Sequence, residues 1–163
     1  NNPPVWVASS AVATMTFDDA LPRGLAGPVP AGASFHTEAK AAVQKAFEKA
    51  GIGPKDISFT ELQDNTCYYE LAFPEEWGLC QPGESEKLLE AGETLPTGKM
   101  PINPSGGFVS FGEATTAMGV FQIAELTWQL RGQSGGRQVP NAKVGLAQTL
   151  GLGGNATAAI LKR

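Results

Sequence analysis

The chain is poor in the residues that most often carry covalent or metal chemistry. Its 163 residues include one histidine, His36, and two cysteines, Cys67 and Cys80. These cannot supply the four ligands of an ordinary structural zinc site, so we expect no metal. Two cysteines are also too few for a disulfide framework. This usage fits a reducing cytoplasm, which is where we expect the protein.

The sequence also lacks long runs of basic residues and long runs of apolar residues. The net charge is −4, from 12 basic and 16 acidic residues, and no run of five basic residues occurs. We therefore expect neither nucleic acid nor an anionic membrane as a partner. No apolar stretch approaches the roughly 18 residues of a membrane-spanning helix. The chain begins NNPPV, without methionine, and we expect a fragment or a processed product.

The first half of the chain predicts a strand, a helix, a second strand and a short helix. Val5–Thr14 is rich in β-formers and predicts a buried strand, followed by a Pro/Gly/Ala loop over Asp18–Ser34. A helix is predicted between Thr37 as its cap and Gly51 as its end. Its apolar stripe consists of Ala39, Ala42, Val43, Ala46, Phe47 and Ala50. ISFTEL (57–62) predicts a strand, QDNTCYYELAF (63–73) a short helix, and residues 74–104 a polar loop.

The second half predicts a short strand over Phe108–Phe111 and a helix over Thr115–Arg131 that ends at Gly132. The expected buried face of that helix is Ala117, Val120, Phe121, Ala124 and Trp128. Two strands follow, Lys143–Leu150 and Ala156–Lys162. The whole order predicts an α/β fold with a central sheet.

Two glycine-rich stretches resemble nucleotide loops but lack what those loops require. GLGGN (Gly151–Asn155) is followed by a predicted strand, whereas a dinucleotide fingerprint needs a helix whose N-terminus holds the pyrophosphate. We interpret it as a tight turn between antiparallel strands. SGGFVSFGE (105–113) lacks the Gly-Lys-Ser/Thr of a phosphate-binding loop.

Most of the reactive side chains have an ordinary structural explanation. His36 suits a surface or capping position, and Cys67 has no nearby histidine to lower its thiol pKa. Tyr68 and Tyr69, the only tyrosines, are by default packing residues with one hydroxyl bond. Glu113 leaves two interpretations open, because a carboxylate at a helix entrance can be a cap or a reactive group. Two glycine turns and an apolar run direct it to one spot.

NPSGGFVSFGEATTAMG and AELTWQLRGQSGGRQVPNAKVGLAQTLGLGG resemble the C-terminal half of thiolases, above all the sterol carrier protein-type thiolases and their lipid-transfer-protein relatives. The likeness runs from about Ser34 to Leu161. It implies a thiolase-like C-terminal domain, with a mixed central sheet and helices on both faces. It also implies a homodimer, and a first half, absent here, that carries the reactive cysteine.

The chain departs from the thiolase pattern at the catalytic positions. Where such thiolases have Gly-His-Pro, this chain has Gly112-Glu113-Ala114. Where they have Asn-Glu-Ala-Phe or His-Asp-Cys-Phe, it has Gln63-Asp64-Asn65-Thr66, and Thr149 replaces a second cysteine. Claisen chemistry needs a thiolate and a base to form the carbanion, and this half offers neither in the usual place.

A thiolase fold without the thiolase residues is similar to the lipid-transfer-protein aldolases of steroid side-chain breakdown. The resemblance implies retro-aldol cleavage of a β-hydroxyacyl-CoA by a carbon–carbon lyase, with tyrosines as acid/base groups and a small OB-fold partner. Coenzyme A would enter as part of the substrate, with no other cofactor.

From this resemblance we predict the site residues. Tyr68 or Tyr69 transfers a proton, and Glu113, in an apolar cleft, acts as general base or orients that group. Gln63 and Asn65 donate amide hydrogen bonds to water or the enolate oxygen, and Asp64 fixes the loop. The substrate loop contains Ser105, Gly106, Gly107 and Gly112.

Two alternatives remain open. One is a divergent acyl-CoA acyltransferase that uses a cysteine from the absent half. The other is a noncatalytic acyl-CoA or lipid-binding subunit, in which Glu113 is only a cap. Under each interpretation we expect these 163 residues alone to be inactive, because a thiolase-type cleft lies between two halves.

Overall fold

Four strands form one mixed sheet in the computed structural model, which describes residues 2–15, 37–151 and 154–163. The strands are β1 (Trp6–Thr14), β2 (Phe59–Glu61), β3 (Val144–Gly151) and β4 (Asn155–Lys162), in the spatial order β1-β4-β3-β2. β2 runs parallel to β3, and the other pairs are antiparallel. Four of the five predicted strands are therefore confirmed. The antiparallel β3–β4 pair, with Gly151 opposite Asn155, also confirms the interpretation of GLGGN as a turn.

The described residues contain five α-helices and three short 3-10 turns. The helices are α1 (Thr37–Ala50), α2 (Tyr68–Glu76), α3 (Ser85–Glu90), α4 (Gly107–Phe111) and α5 (Met118–Arg131). The turns are Pro54–Asp56, Thr115–Ala117 and Gly135–Arg137. The predicted loop Asp18–Ser34 and His36 lie outside the described residues.

Helices cover both faces of the sheet, as expected. Side chains alternate along a strand, so neighbouring residues of β3 point into different cores. Leu146 packs with α1, β1 and β4, whereas Ala147 packs with α5 and β2. The fold is thus a sheet between two helical layers.

β1 is an edge strand rather than the buried strand that its composition predicts. Ala11 and Ala13 pack against the α1 layer, but Trp6, Val7 and Val12 are more than half exposed. The prediction was wrong because β-formers alone do not tell how many faces of a strand are covered.

Residues 108–111, predicted as a strand, belong to the helical turn α4. Gly106 and Gly107 turn the chain with φ of 94° and 64°, and the Gly112 N–H donates to the Phe108 carbonyl at 2.8 Å. The four residues FVSF are too few to show a period, so the sequence could not separate strand from helix.

Residues 74–104, predicted as one polar loop, contain the end of α2 and all of α3. α2 begins at Tyr68 and continues past Pro74 to Glu76. Pro74 is tolerated because the helix ends soon after it, so little of the ladder is lost.

The most consequential difference concerns the face of α5. The helix is present as predicted, yet Val120, Phe121 and Trp128 are 69%, 47% and 46% exposed. The residues it buries instead are Met118, Gln122, Glu125, Leu126, Gln129 and Leu130. α5 therefore buries three polar side chains beside three apolar ones and leaves large apolar side chains exposed, unlike an ordinary surface helix.

The buried polar side chains of α5 are hydrogen-bonded. Gln122 donates to the Gln148 carbonyl at 2.8 Å, and Gln129 accepts from the Val139 N–H at 2.8 Å. The Glu125 carboxylate pairs with the Arg137 guanidinium at 2.8 Å. These partners offset the cost of burying polar groups, which allows the inverted orientation.

Gly145 marks the closest approach of α5 to the sheet. A Cβ at this position would lie 2.7 Å from Phe59 Cζ and 2.8 Å from Leu126 Cγ. Gly145→Ala should therefore lower the free energy of unfolding of the 163-residue chain by about 1–3 kcal/mol in urea titrations. Gly53→Ala is the matched control, since nothing lies within 4 Å of its added Cβ. Equal urea midpoints for the two variants would contradict this packing.

Candidate functional site

The carboxyl ends of β2 and β3 meet at one edge of the sheet, where ligands bind in open α/β folds. Gln63, just beyond β2, accepts a hydrogen bond from the Leu150 N–H at 2.5 Å. Its own N–H donates to the Gln148 side chain at 3.4 Å. Gln63 is 5% exposed, so its amide oxygen ties the two strand ends together.

Asp64 fixes the start of α4. Its carboxylate, 1% exposed, accepts the Phe108 N–H at 2.7 Å and faces the Val109 N–H at 3.5 Å. A Cβ on Gly107 would collide with that carboxylate, and φ of 64° is also unfavourable for other residues. The structure thus places Asp64 in the loop-fixing position expected for it.

Glu61, which the sequence reasoning did not select, holds the front of the same loop. Its Oε1 accepts the Ser105 N–H at 3.0 Å, and its Oε2 accepts the Ser105 hydroxyl at 2.7 Å. The Ser105 Oγ in turn accepts the Gly107 N–H at 3.1 Å. An acid ending a predicted buried strand was the available signal, because a buried carboxyl needs dedicated partners.

Burial dominates the electrostatics of Glu61. The side chain is 1% exposed, and desolvation raises its pKa from an ordinary 4.5 to about 8. The Ser105 bonds act in the opposite direction, and the charges of Glu125 and Asp64 raise the pKa further. At neutral pH the carboxyl is therefore mainly protonated.

Asn103 links the loop to α2. With φ of 46°, it accepts the Leu62 N–H at 2.8 Å and donates to the Glu70 carboxylate at 2.7 Å. Burial raises the pKa of Glu70, and the Asn103 bond partly offsets this. The sequence reasoning missed both residues, since their partners are distant along the chain.

The predicted groups Asn65, Gly112 and Glu113 lie on the surface of this chain. Gly112 ends α4 with φ of 87°, and Glu113 follows it, before the Thr115–Ala117 turn that leads into α5. Glu113 is exposed, so these 163 residues alone do not provide the apolar cleft expected around it.

The two tyrosines have different environments. Tyr69 is 9% exposed and stacks on Phe73 at 4.8 Å between ring centroids. Burial, and then the charge of Glu38, raise the pKa of Tyr69. Tyr68 is 58% exposed and lines a mainly apolar cavity of about 360 Å³ with Leu71 and Ile102. Tyr68 is therefore the tyrosine that a substrate can reach.

Hydrogen bonds tie Ser105, Gly107 and the start of α4 to the buried carboxyls of Glu61 and Asp64. The loop of Ser105, Gly106 and Gly107 is held from beneath by carboxyls, and α4 connects it to Glu113. The Glu70 side chain both bonds Asn103 and lines the Tyr68 cavity. Tyr69, in contrast, lies in the core.

The helices and the acidic and cysteine side chains of residues 2–15, 37–151 and 154–163 bear on membranes and metal ions. No helix there is both long and apolar enough to cross a bilayer. Within the same ranges, no three His, Cys, Asp or Glu side chains are grouped so as to hold a metal ion.

The raised pKa of Glu61 predicts a pH-dependent stability. The folded state retains a proton that the unfolded chain loses near pH 4.5, so stability falls as pH rises from about 4.5 to about 8. Each unit in this range costs up to about 1.4 kcal/mol. Glu61→Gln should remove this slope, as measured by urea unfolding from pH 5 to 9. The exposed Glu48→Gln should retain it, and parallel curves for both variants would contradict the assignment.

Comparison with known proteins identifies the family. A model of the family described as thiolase C-terminal domain-like matches residues 32–163. Sterol carrier protein 2 of Rattus norvegicus is 46% identical over 123 residues, or 76% of this chain and 22% of the relative. The benzoylsuccinyl-CoA thiolase subunit BbsB of Thauera aromatica is 34% identical over 151 residues, or 92% of this chain and 37% of the relative.

A solved structure agrees with these relatives. The Ltp2-ChsH2(DUF35) aldolase superimposes with a TM-score of 0.80 at 25% identity, covering 99% of this chain and 40% of the other. The chain therefore spans between about a fifth and two fifths of the proteins it matches. With most of its residues matched, the chain belongs to the thiolase C-terminal domain-like family.

Proposed function

We propose that this domain forms part of a longer protein that cleaves a β-hydroxyacyl-CoA, such as a steroid side chain, by a retro-aldol reaction. The observation that carries the proposal is an aldolase-like fold with an acid where the family resemblance expects a histidine. The fold matches an aldolase over 99% of the chain, while Glu113 stands where thiolases have histidine.

The reaction requires a proton transfer rather than a covalent acyl-enzyme. A base removes the β-hydroxyl proton, and the bond between the α and β carbons breaks to give a ketone or aldehyde. The electron pair remains on the thioester as an enolate, which is stabilised by hydrogen bonds and then protonated at the α carbon. The absence of a thiolase histidine and cysteine is compatible with these steps.

The accessible residues define the proposed roles. Tyr68, at the mouth of the apolar cavity, transfers the proton, and Glu113 acts as base or orients the tyrosine. Asn65, exposed beside Asp64, donates to the enolate oxygen or to water. Gln63 has its amide oxygen engaged by Leu150, so only its amide nitrogen is proposed as a donor. Tyr69 remains the second tyrosine candidate.

Single substitutions test these roles in the full-length protein together with its partner. Tyr68→Phe and Glu113→Gln should each lower the rate of ketone or aldehyde release from a branched β-hydroxyacyl-CoA by about 10²-fold or more. Tyr69→Phe should have a smaller effect, because its ring is stacked in the core. Glu86→Gln, exposed on α3, is the control. Unchanged rates in Tyr68→Phe, Tyr69→Phe and Glu113→Gln together would refute the site assignment.

We also propose that the outer face of α5, defined as Val120, Phe121, Ala124 and Trp128, packs against the other half of the same protein. Phe111 extends this face, since its ring meets that of Phe121 edge-on at 5.8 Å. Contiguous exposed apolar surfaces mark interaction sites. The chain spans only 40% of the solved aldolase chain, so sequence enough for such a half lies beyond it in that relative. This packing would give Glu113 its apolar cleft.

Phe121→Asp tests that packing. It should lower the free energy of unfolding of the full-length protein by about 2 kcal/mol or more, because a buried charge would lack a partner. The 163-residue chain alone should change by less than about 0.5 kcal/mol, since Phe121 is half exposed there. Leu95→Asp, at another exposed apolar residue, is the control. Equal effects of Phe121→Asp on both proteins would contradict an interface with the other half.

The remaining partners follow from the relatives. The name of the solved aldolase joins two components, Ltp2 and ChsH2(DUF35), which supports a partner protein here, and the family resemblance suggests a small OB-fold protein for that role. A homodimer and the acyl-CoA substrate are proposed on the same family grounds.

An acyl-CoA acyltransferase is the second candidate. It is favoured by the acetyl-CoA acetyltransferase of Methanothermobacter thermautotrophicus, 37% identical over 123 residues, 75% of this chain and 32% of the relative. A cysteine at the thiolase nucleophile position of the other half, with thiolytic acyl transfer to coenzyme A, would favour it over the aldolase. A noncatalytic subunit is refuted if one substitution abolishes turnover while acyl-CoA still binds.

A further inference from the structure

The Glu61 carboxyl takes no part in the reaction proposed above, but it makes two hydrogen bonds to the first residue of the glycine loop, Ser105. It lies at the carboxyl end of β2, and both of its oxygens bond Ser105, one to the N–H and one to the hydroxyl. Ser105 links the carboxyl to the next turn of the loop, because its Oγ accepts a hydrogen bond from the Gly107 N–H. The carboxyl therefore holds the loop directly at the Ser105 N–H and indirectly, through the Ser105 Oγ, at the Gly107 N–H.

The segment after Ser105 is short and constrained, so a shift at its start is transmitted. A Cβ on Gly106 would lie 2.8 Å from the Ser110 Cβ, and one on Gly107 would collide with Asp64. α4 is a single helical turn that ends at Gly112, directly before Glu113. Five of the residues between the anchor Ser105 and the proposed base Glu113 form α4.

We propose that Glu61 is a positioning residue for the reaction: its buried carboxyl holds Ser105 and thereby determines where Glu113 stands. This inference rests on the proposed function, because Glu113 is its proposed base. Glu61 itself contacts no reacting atom in this scheme and acts only through the loop.

The charges around Glu61 make the anchor sensitive to pH. Asp64 faces it from the loop after β2, and Glu125 faces it from α5. The charge of Glu61 in turn contributes to the raised pKa of the Arg137 guanidinium. Ionisation above about pH 8 places an anion beside two carboxyls in a buried site. We expect the loop to loosen there, and kcat to fall.

The experiment uses steady-state kinetics of the full-length protein with its partner, from pH 6 to 9.5. Glu61→Ala should lower kcat about 10- to 100-fold with KM changed less than about threefold, because misplaced groups lose rate more than binding. Glu61→Gln should restore most of that loss, since its amide can accept the Ser105 N–H and donate to the hydroxyl. It should also lack the wild-type fall of kcat above pH 8. Glu48→Gln, exposed on α1, is the control.

Hydrogen exchange at fixed pH gives a readout that does not depend on turnover. The amides of Gly107 and Phe108, which are bonded in the loop, should exchange faster in Glu61→Ala than in Glu61→Gln. If Glu61→Ala fails to fold, Ser105→Ala removes the hydroxyl link from the other side and should show the same loss of kcat and protection.

Three results would overturn the inference. The first is a kcat of Glu61→Ala within about twofold of the wild-type value. If Glu61→Ala does not fold, the same criterion applies to Ser105→Ala. Another is Glu61→Gln as slow as Glu61→Ala, which would mean that the carboxyl itself transfers a proton. The third is unchanged exchange of the loop amides. A wild-type protein without lyase turnover would instead contradict the proposed function, and the exchange result would then decide the anchoring by Glu61 separately.

Discussion

The structure depends on two carboxyl groups, Glu61 and Asp64, buried at the end of β2 under a glycine loop. Each is 1% exposed, and taking such a group out of water is costly unless hydrogen bonds replace the lost solvent. Here the replacements are the Ser105 N–H and hydroxyl and the Phe108 N–H. If the loop moved away, the buried carboxyls would lose these hydrogen bonds at a large cost in free energy. This cost fixes the course of the chain from residue 105 to 112.

The same constraint explains why polar side chains lie under α5. Glu125 is 3% exposed and is held by Arg137, and Gln122 bonds the Gln148 carbonyl at the edge where the loop sits. With its polar side turned to the sheet, α5 presents Phe121 and Trp128 outward. α5 thus buries hydrogen-bonded polar groups beside Leu126 and Leu130 and leaves apolar side chains exposed on its opposite side.

Local patterns predicted the parts of the fold that local forces decide. α1 and the β3–β4 pair were predicted because their periods run over eight or more residues and turn glycines bound them. α4 was predicted as a strand, since the four residues FVSF are too few to show a period. The face of α5 was wrong for another reason: the apolar stripe was identified, but an apolar stripe alone does not show which side of the helix packs on the sheet. In the site, Asp64 was anticipated through the family motif, whereas Glu61 was missed because Ser105 lies 44 residues further along.

The hydrogen bonds that hold the loop do not involve the side chain that we propose as its reactive group. The bonds that fix residues 105–112 come from Glu61 and Asp64 and go to backbone groups and Ser105; none of them uses the side chain of Glu113. Replacing a thiolase histidine at this position therefore leaves the anchoring bonds intact. A family that places its reactive side chain just after such a turn can exchange that side chain at little cost in stability. This separation of the supporting bonds from the Glu113 side chain gives a physical reason why the residue at position 113 can vary while the thiolase C-terminal domain-like fold is kept.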